Sequence, residues 1–233
     1  MKSAKGTFRI LRSIIPTVWF NFRYLPFRQA VKLPILLYKP RFHSCKGKVF
    51  LGDGPVRTGM VRLGFLIETV YPNSGFLWDN RGGEVVFRGN CIIGNDSRIR
   101  VEEGGRLEFG DGVLCTASLK LVCHRSIIFG DKVLVGWENT IVDTDFHRIK
   151  DESGAFVGTA VAPVSIGHHS WLCSQVLTLK GTALPPRCIV AARSVLNTVY
   201  QVPECSLLAG APARLRRQGI WQDIDDPSTN EIG

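Results

Sequence analysis

Between Ile166 and Leu196 the chain keeps a beat of six. Ile166, Leu172, Thr178, Leu184, Val190 and Leu196 stand six apart, and Ser170, Val176, Thr182, Cys188 and Ser194 follow the first five by four residues each. A strand alternates every two residues and a helix repeats after about 3.6, so a sustained period of six fits neither and marks a solenoid. Each short strand buries one aliphatic residue, the small residue four places on takes a corner, and three hexads close a triangular turn. Upstream the beat runs through Phe87, Ile93 and Ile99. It resumes after Glu102-Glu103-Gly104-Gly105 at Phe109, Cys115, Leu121 and Ile127, then restarts two residues out of phase at Phe129, Val135 and Ile141. A β-sandwich with evenly spaced turns would alternate within each strand, which the run from 166 to 196 does not do.

Length allows one sizeable core, and 45% hydrophobic with 21% charged residues is globular composition. The net charge of +9 is concentrated at one end. Residues 1–52 carry eleven Lys or Arg and no Asp or Glu, whereas the remainder has 18 basic and 20 acidic residues. The basic residues of this segment alternate with Trp19, Phe20, Phe22, Tyr24, Phe27 and Tyr38, a composition that lies well against an anionic membrane surface. Helices packing on the coil are an equal alternative. Its apolar stretches are broken by Arg23, Arg28, Lys32 and by Pro16, Pro26 and Pro34, far short of the ~20 residues of a transmembrane span. No signal-peptide core is present, and no nucleic-acid motif accompanies the charge. The seven cysteines (Cys45, Cys91, Cys115, Cys123, Cys173, Cys188, Cys205) form no CxxC pair, and several take core or corner positions of the beat. They read as free thiols in a reducing cytoplasm.

The stretch Pro163-Val164-Ser165-Ile166-Gly167-His168-His169-Ser170-Trp171-Leu172-Cys173-Ser174-Gln175-Val176, followed by Ala209-Gly210-Ala211-Pro212-Ala213-Arg214, resembles the carboxy-terminal signature of the hexapeptide-repeat acetyltransferases of the galactoside, maltose and xenobiotic group. The resemblance covers roughly residues 85–217. It implies a mainly β fold, a left-handed parallel β-helix, whose hand comes from the resemblance because parallel crossovers are ordinarily right-handed. The expected organisation is a basic, helical amino-terminal segment over 1–48, the β-helix over 49–200 with an excursion near 143–163, and a carboxy-terminal extension with a polar tail over 201–233. The amino-terminal segment resembles that of enzymes that decorate bacterial surface polysaccharides.

Chemistry is expected where the beat breaks. Ile141 and Ile166 are 25 apart, one more than four hexads, so the chain between them leaves the coil, and excursions from a regular scaffold are common functional places. The excursion opens Asp143-Thr144-Asp145-Phe146-His147. The resemblance implies that His147 is a general base, which a sugar hydroxyl needs in order to attack a thioester at neutral pH. Asp143 and Asp145 are candidates to hold the imidazole or to bind sugar hydroxyls. The donor implied is acetyl-coenzyme A, with Trp171 beside the active site, Ser174 and Ala192 along the pantetheine arm, and Arg214 and Arg217 near the phosphates. Cys173, Lys180, Arg193 and Thr198 depart from the family pattern, and Thr116-Ala117-Ser118 lacks an asparagine that some relatives place near the acceptor. His168, His169, His124 and His43 carry little weight as site residues.

The function expected is therefore acetyl-CoA-dependent O-acetylation of a sugar hydroxyl of a bacterial surface polysaccharide or its precursor, by direct transfer. The resemblance implies a homotrimer with shared sites. The partners expected are a carbohydrate acceptor, acetyl-CoA and the inner face of the cytoplasmic membrane, without nucleic acid and without a required metal. N-acetylation of a nucleotide-linked amino sugar and a non-catalytic trimeric scaffold are the alternatives. A zinc carbonic anhydrase would need three converging histidines, which the spacing of His124, His147 and His168-His169 does not resemble.

Overall fold

The computed structural model describes residues 4–223. The side chains of residues 1–12, with the cations Lys2, Lys5, Arg9 and Arg12, and the acidic tail with Asp225, Asp226 and Glu231 lie outside the described residues. Three parallel sheets wind one coil, each successive strand joining the next sheet. The first sheet stacks Ile35–Leu37, Val61–Phe65, Cys91–Gly94, Val113–Cys115, Leu134–Val135, Trp171–Leu172, Ile189–Val190 and Ser206–Gly210, and Ala213–Gln218 folds back antiparallel at its edge. The second runs from Pro40–Cys45 to Val195–Leu196, and the third from Lys48–Leu51 to Ala183–Leu184.

The hexad residues line the interior as columns. In the first sheet Leu37, Leu63, Ile93, Cys115, Val135, Leu172, Val190 and Leu208 are stacked by register, and all are buried. In the third, Phe87, Phe109 and Phe129 stack with centroids 5.4 and 5.1 Å apart and planes within 9°. The column continues as Ile166 and Leu184. The two-residue slip at Phe129 has a simple cause. Ser126–Phe129 is long enough to point both Ile127 and Phe129 inward, so the downstream count resumes from the second of them.

The coil begins earlier than the composition suggests. Ile35–Leu37, Pro40–Cys45 and Lys48–Leu51 already form its first turn, so the boundary at 48/49 is corrected to lie between the helices and Ile35. The basic residues of 39–48 had masked these strands. At the other end Ser206–Gly210 still pairs in parallel with Ile189–Val190, so the coil also runs past residue 200.

The two helices, α1 (Ala4–Tyr24) and α2 (Phe27–Ala30), close the exposed edge of the first sheet. Ser13, Thr17 and Asn21 recur every four residues, which raises them about 6 Å per step along the helix. This nearly matches the two-residue step of a strand, roughly 6.6 Å. Asn21 Nδ2 donates to Ile35 O at 2.7 Å, and Ile35 N–H donates to Asn21 Oδ1 at 3.1 Å. Leu37 N–H donates to Thr17 Oγ1 at 3.0 Å and Lys39 N–H to Ser13 Oγ at 3.3 Å. An edge that could template another strand is thereby satisfied by side chains. Phe20 is fully buried against Trp78 and Tyr24 beside it.

Candidate active site

The chain leaves the coil after Thr140–Val142, at the corner between the second and third sheets, and returns at Val164–Ile166. The excursion is an antiparallel arm. Asp145 N–H donates to Ala160 O at 2.8 Å, Ala162 N–H donates to Asp143 O at 3.0 Å, Thr144 bridges Val161, and Ile149–Lys150 pairs with Phe156–Val157 further out.

Asp143 roots this arm. Its carboxylate is fully buried and accepts the backbone N–H groups of His124, Arg125 and Ser126 at 2.7, 2.7 and 2.8 Å. This corrects the expectation that Asp143 binds sugar or holds an imidazole. Its oxygens face the corner of the preceding turn and none meets solvent. Asp145 is exposed, and its carboxylate lies 3.1 Å from Lys180 Nζ, which also donates to Thr159 O at 2.7 Å. Lys180 therefore ties both legs of the arm to the next turn of the coil. In the sequence its only signal is that Lys180 departs from the family pattern.

His147 follows the left-handed Phe146 (φ 63°) and is exposed. The Phe146 ring meets His124 edge-on at 5.9 Å, and the buried Nε2 of His124 has no hydrogen-bond partner among the described residues. His168 is otherwise engaged, since its Nδ1 accepts the Asp131 backbone N–H at 2.9 Å. That fixed donor makes Nδ1 an acceptor, so the 3.3 Å approach of Asp131 Oδ2 to the same nitrogen is not an ion pair of the neutral ring.

The expected donor residues lie elsewhere on the coil. Trp171 faces outward on the first sheet, in register with Leu134 and Ile189. Ser174 and Ala192 occupy equivalent places at the corner between the first and second sheets on successive turns. Arg217 and Arg214 pair with Leu207 and Ala209 on the antiparallel edge strand. Trp171, Ile189, Leu207 and Arg217 thus form one outward row, with Arg214 beside the Ser174–Ala192 corner. Within one chain His147 belongs to a different corner from all of them.

The same corner holds a polar column that sequence reasoning missed. Arg193 (φ 60°) and Gln175 (φ 60°) take left-handed positions that favour glycine, and their side chains engage one another. Arg193 Nε donates to Gln175 Oε1 at 2.7 Å, and Gln175 Nε2 to Glu138 Oε2 at 2.6 Å. Hydrogen bonds from Gln175 and Tyr71 hold the Glu138 carboxyl below its ordinary value. Desolvation, and then the Glu138 contact, push the Tyr71 phenol up to about 12. Cys173, two residues before Gln175, is half-buried, and burial pushes its thiol up to about 11.

No protein-family model matches the chain. It is 32% identical over 134 residues to a probable acetyltransferase of Mycobacterium tuberculosis, a match that spans 56% of this chain and 43% of that protein. It is 26% identical over 208 residues to an uncharacterized 24.8 kDa protein in the cps region of Klebsiella pneumoniae, covering 86% of this chain and 87% of that one. Among solved structures, the polySia-specific acetyltransferase NeuO superposes with a TM-score of 0.53 at 15% identity, over 83% of this chain and 80% of that chain. The hexad core, the three parallel sheets and the likeness to NeuO show the left-handed parallel β-helix fold, and the chain spans less than half the length of the probable acetyltransferase it matches.

Proposed function

We propose that this protein transfers the acetyl group of acetyl-coenzyme A to a sugar hydroxyl of a bacterial surface polysaccharide or its precursor, in a site shared between neighbours of a homotrimer. The observation that carries this reading is the separation just described. His147 stands exposed on an arm whose Ile149, Phe156 and Val157 are 60, 51 and 52% exposed, while the donor residues lie at another corner. A neighbouring copy supplies what one chain lacks. The outward row of the first sheet (Ile92, Leu114, Leu134, Trp171, Ile189, Leu207) is apolar. The outer face of the third sheet is charged instead, with Arg106 bridging Glu84 and Glu108. The apolar row is the natural face between copies.

In this site His147 accepts the proton of the acceptor hydroxyl as its oxygen bonds to the thioester carbon. The carbonyl oxygen becomes a tetrahedral oxyanion, which a backbone N–H of a coil corner can stabilise. Collapse breaks the carbon–sulfur bond, and the imidazolium returns its proton to the departing thiolate. Asp145, exposed on the arm beside Lys180, meets acceptor hydroxyls. Ser174 and Ala192 flank the pantetheine arm, Trp171 borders the acetyl group, and Arg214 and Arg217 meet the phosphates. The basic amino-terminal segment seats the enzyme at the inner face of the cytoplasmic membrane, where a lipid-linked glycan is met.

The test is thiol release from acetyl-coenzyme A across a panel of sugars and oligosaccharides. His147→Ala should lower kcat about 10²–10⁴-fold with donor affinity unchanged. A variant as fast as wild type would remove His147 from the mechanism, and a wild type that never binds the donor would leave only the scaffold alternative.

A further inference from the structure

Because Ser13, Thr17 and Asn21 turn inward to cap the coil, α1 presents an apolar face to the outside. Ile15, Val18, Trp19 and Phe22 follow one another at helical spacing, all exposed, Ile15 at 66%. Phe27, 72% exposed, extends the stripe with its ring 6.0 Å from Phe22. Beside the stripe a groove of about 460 Å³ opens between α1 and the outer side of the first coil turns. Ile14 and Val18 form one wall, and Leu36, Tyr38 and Phe65 line the rest. Its volume falls within the roughly 300–1,000 Å³ of small-molecule sites, and its lining is mostly hydrocarbon, with Ser13, Thr17 and Asn73 as the polar exceptions.

Cations border this surface. Lys39 Nζ sits 5.3 Å from the Tyr38 ring centroid and donates to Asn73 O at 2.5 Å, and Arg62 stands in register beside Leu36. Arg23 and Lys32 donate to the backbone carbonyls of Cys45 and Val56, and no Asp or Glu occurs before residue 53. An apolar slot continuous with an exposed aromatic stripe and edged by cations matches a molecule with a hydrocarbon chain and an anionic head. A second copy does not fit, because face-to-face packing would set these cations against their equivalents.

We propose that the groove between α1 and the first coil turns takes one acyl chain of an anionic membrane phospholipid, while Trp19, Phe22 and Phe27 enter the interface around it. This deepens the membrane seat proposed above and rests on it. The test uses flotation of the full chain with vesicles of phosphatidylcholine alone or with about one-third phosphatidylglycerol, at about 0.1 M and about 0.5 M salt. Binding should require phosphatidylglycerol, weaken at high salt, and fall about tenfold in Trp19→Ser/Phe22→Ser, whose unchanged melting would show an intact fold. Phosphatidylglycerol brominated in mid-chain should quench the tryptophan introduced by Phe65→Trp in a Trp19→Phe background. Absence of vesicle binding overturns both the seat and the groove, and points to a protein partner for the stripe. Binding without quenching overturns the groove alone. Acetyl transfer to a soluble acceptor is scored separately and decides neither outcome.

Discussion

Replacing Asp143 by Asn is the substitution that best separates a structural from a binding role at the root of the arm. The two oxygens accept three backbone N–H groups at 2.7–2.8 Å from a fully buried position. Hydrogen bonds to a charged group contribute about 1.5–3 kcal/mol each, offset in part by the cost of burying the charge. Asn keeps one acceptor and turns an NH₂ toward N–H groups that can only donate. At least one bond is lost and a donor faces a donor, so the expected loss is about 2–4 kcal/mol. For a chain of this size, 3 kcal/mol lowers Tm by about 6–12 °C. Thermal unfolding at one fixed protein concentration, which holds any self-association constant, reads this directly. Limited proteolysis should cut the arm between residues 147 and 158 faster in the variant. Unchanged Tm and proteolysis with a raised KM for the sugar acceptor would refute the buried-cap account and restore Asp143 as an acceptor-binding residue.

Two further outcomes follow from the packing. The Glu108 carboxyl is nearly buried, and although desolvation pushes it up, hydrogen bonds and charge from Arg88 and Arg106 win and hold it below its ordinary value. The folded state therefore binds the proton less readily than the unfolded chain. Its stabilisation is present above the usual carboxylate range and is lost as pH falls through the depressed value. Glu108→Gln should lose stability in urea titrations near neutral pH and converge on wild type in acid. A gap that persists in acid would assign the loss to packing. Asn21→Ala should cost about 2–4 kcal/mol, since it strands both the N–H and the carbonyl of Ile35 on a buried edge. Denaturant unfolding checks this, and a change within 0.5 kcal/mol, the range of ordinary surface substitutions, would mean that water replaces the side chain.

The coil was legible because its core repeats. Every hexad residue from Ile166 to Leu196 points inward, and the phase slip at Phe129 recorded a real change in strand length. The first turn escaped detection for the converse reason. Residues 52–60 and 66–75 intervene between its strands and the next ones, so Leu37, Leu63 and Ile93 share a column without sharing a period. Composition there pointed to a separate basic segment, because outward side chains of edge turns can carry any charge that solvent accepts.

The site was legible only as far as local order reaches. The broken hexad count located the arm, since an insertion must interrupt a periodic core wherever it lies. It could not separate the duties of Asp143 and Asp145, two residues apart with the same chemistry, because the difference is made by His124, Arg125 and Ser126 one turn earlier and by Lys180 one turn later. Asp143 is drawn inward by three N–H groups left unpaired at a corner, and Asp145 is left at the surface with a cation. The helix α1 poses the same problem on a larger scale. Its Ser13, Thr17 and Asn21 form a polar stripe that reads as the solvent face of an amphipathic helix, yet they face the protein because an open β-edge offers polar partners and the side chains match its spacing. Once the polar stripe is taken inward, the apolar stripe of Ile15, Val18, Trp19 and Phe22 must face outward. Satisfying the backbone edge and exposing a hydrophobic surface are thus two sides of one arrangement, which ties the end of the coil to whatever covers that surface.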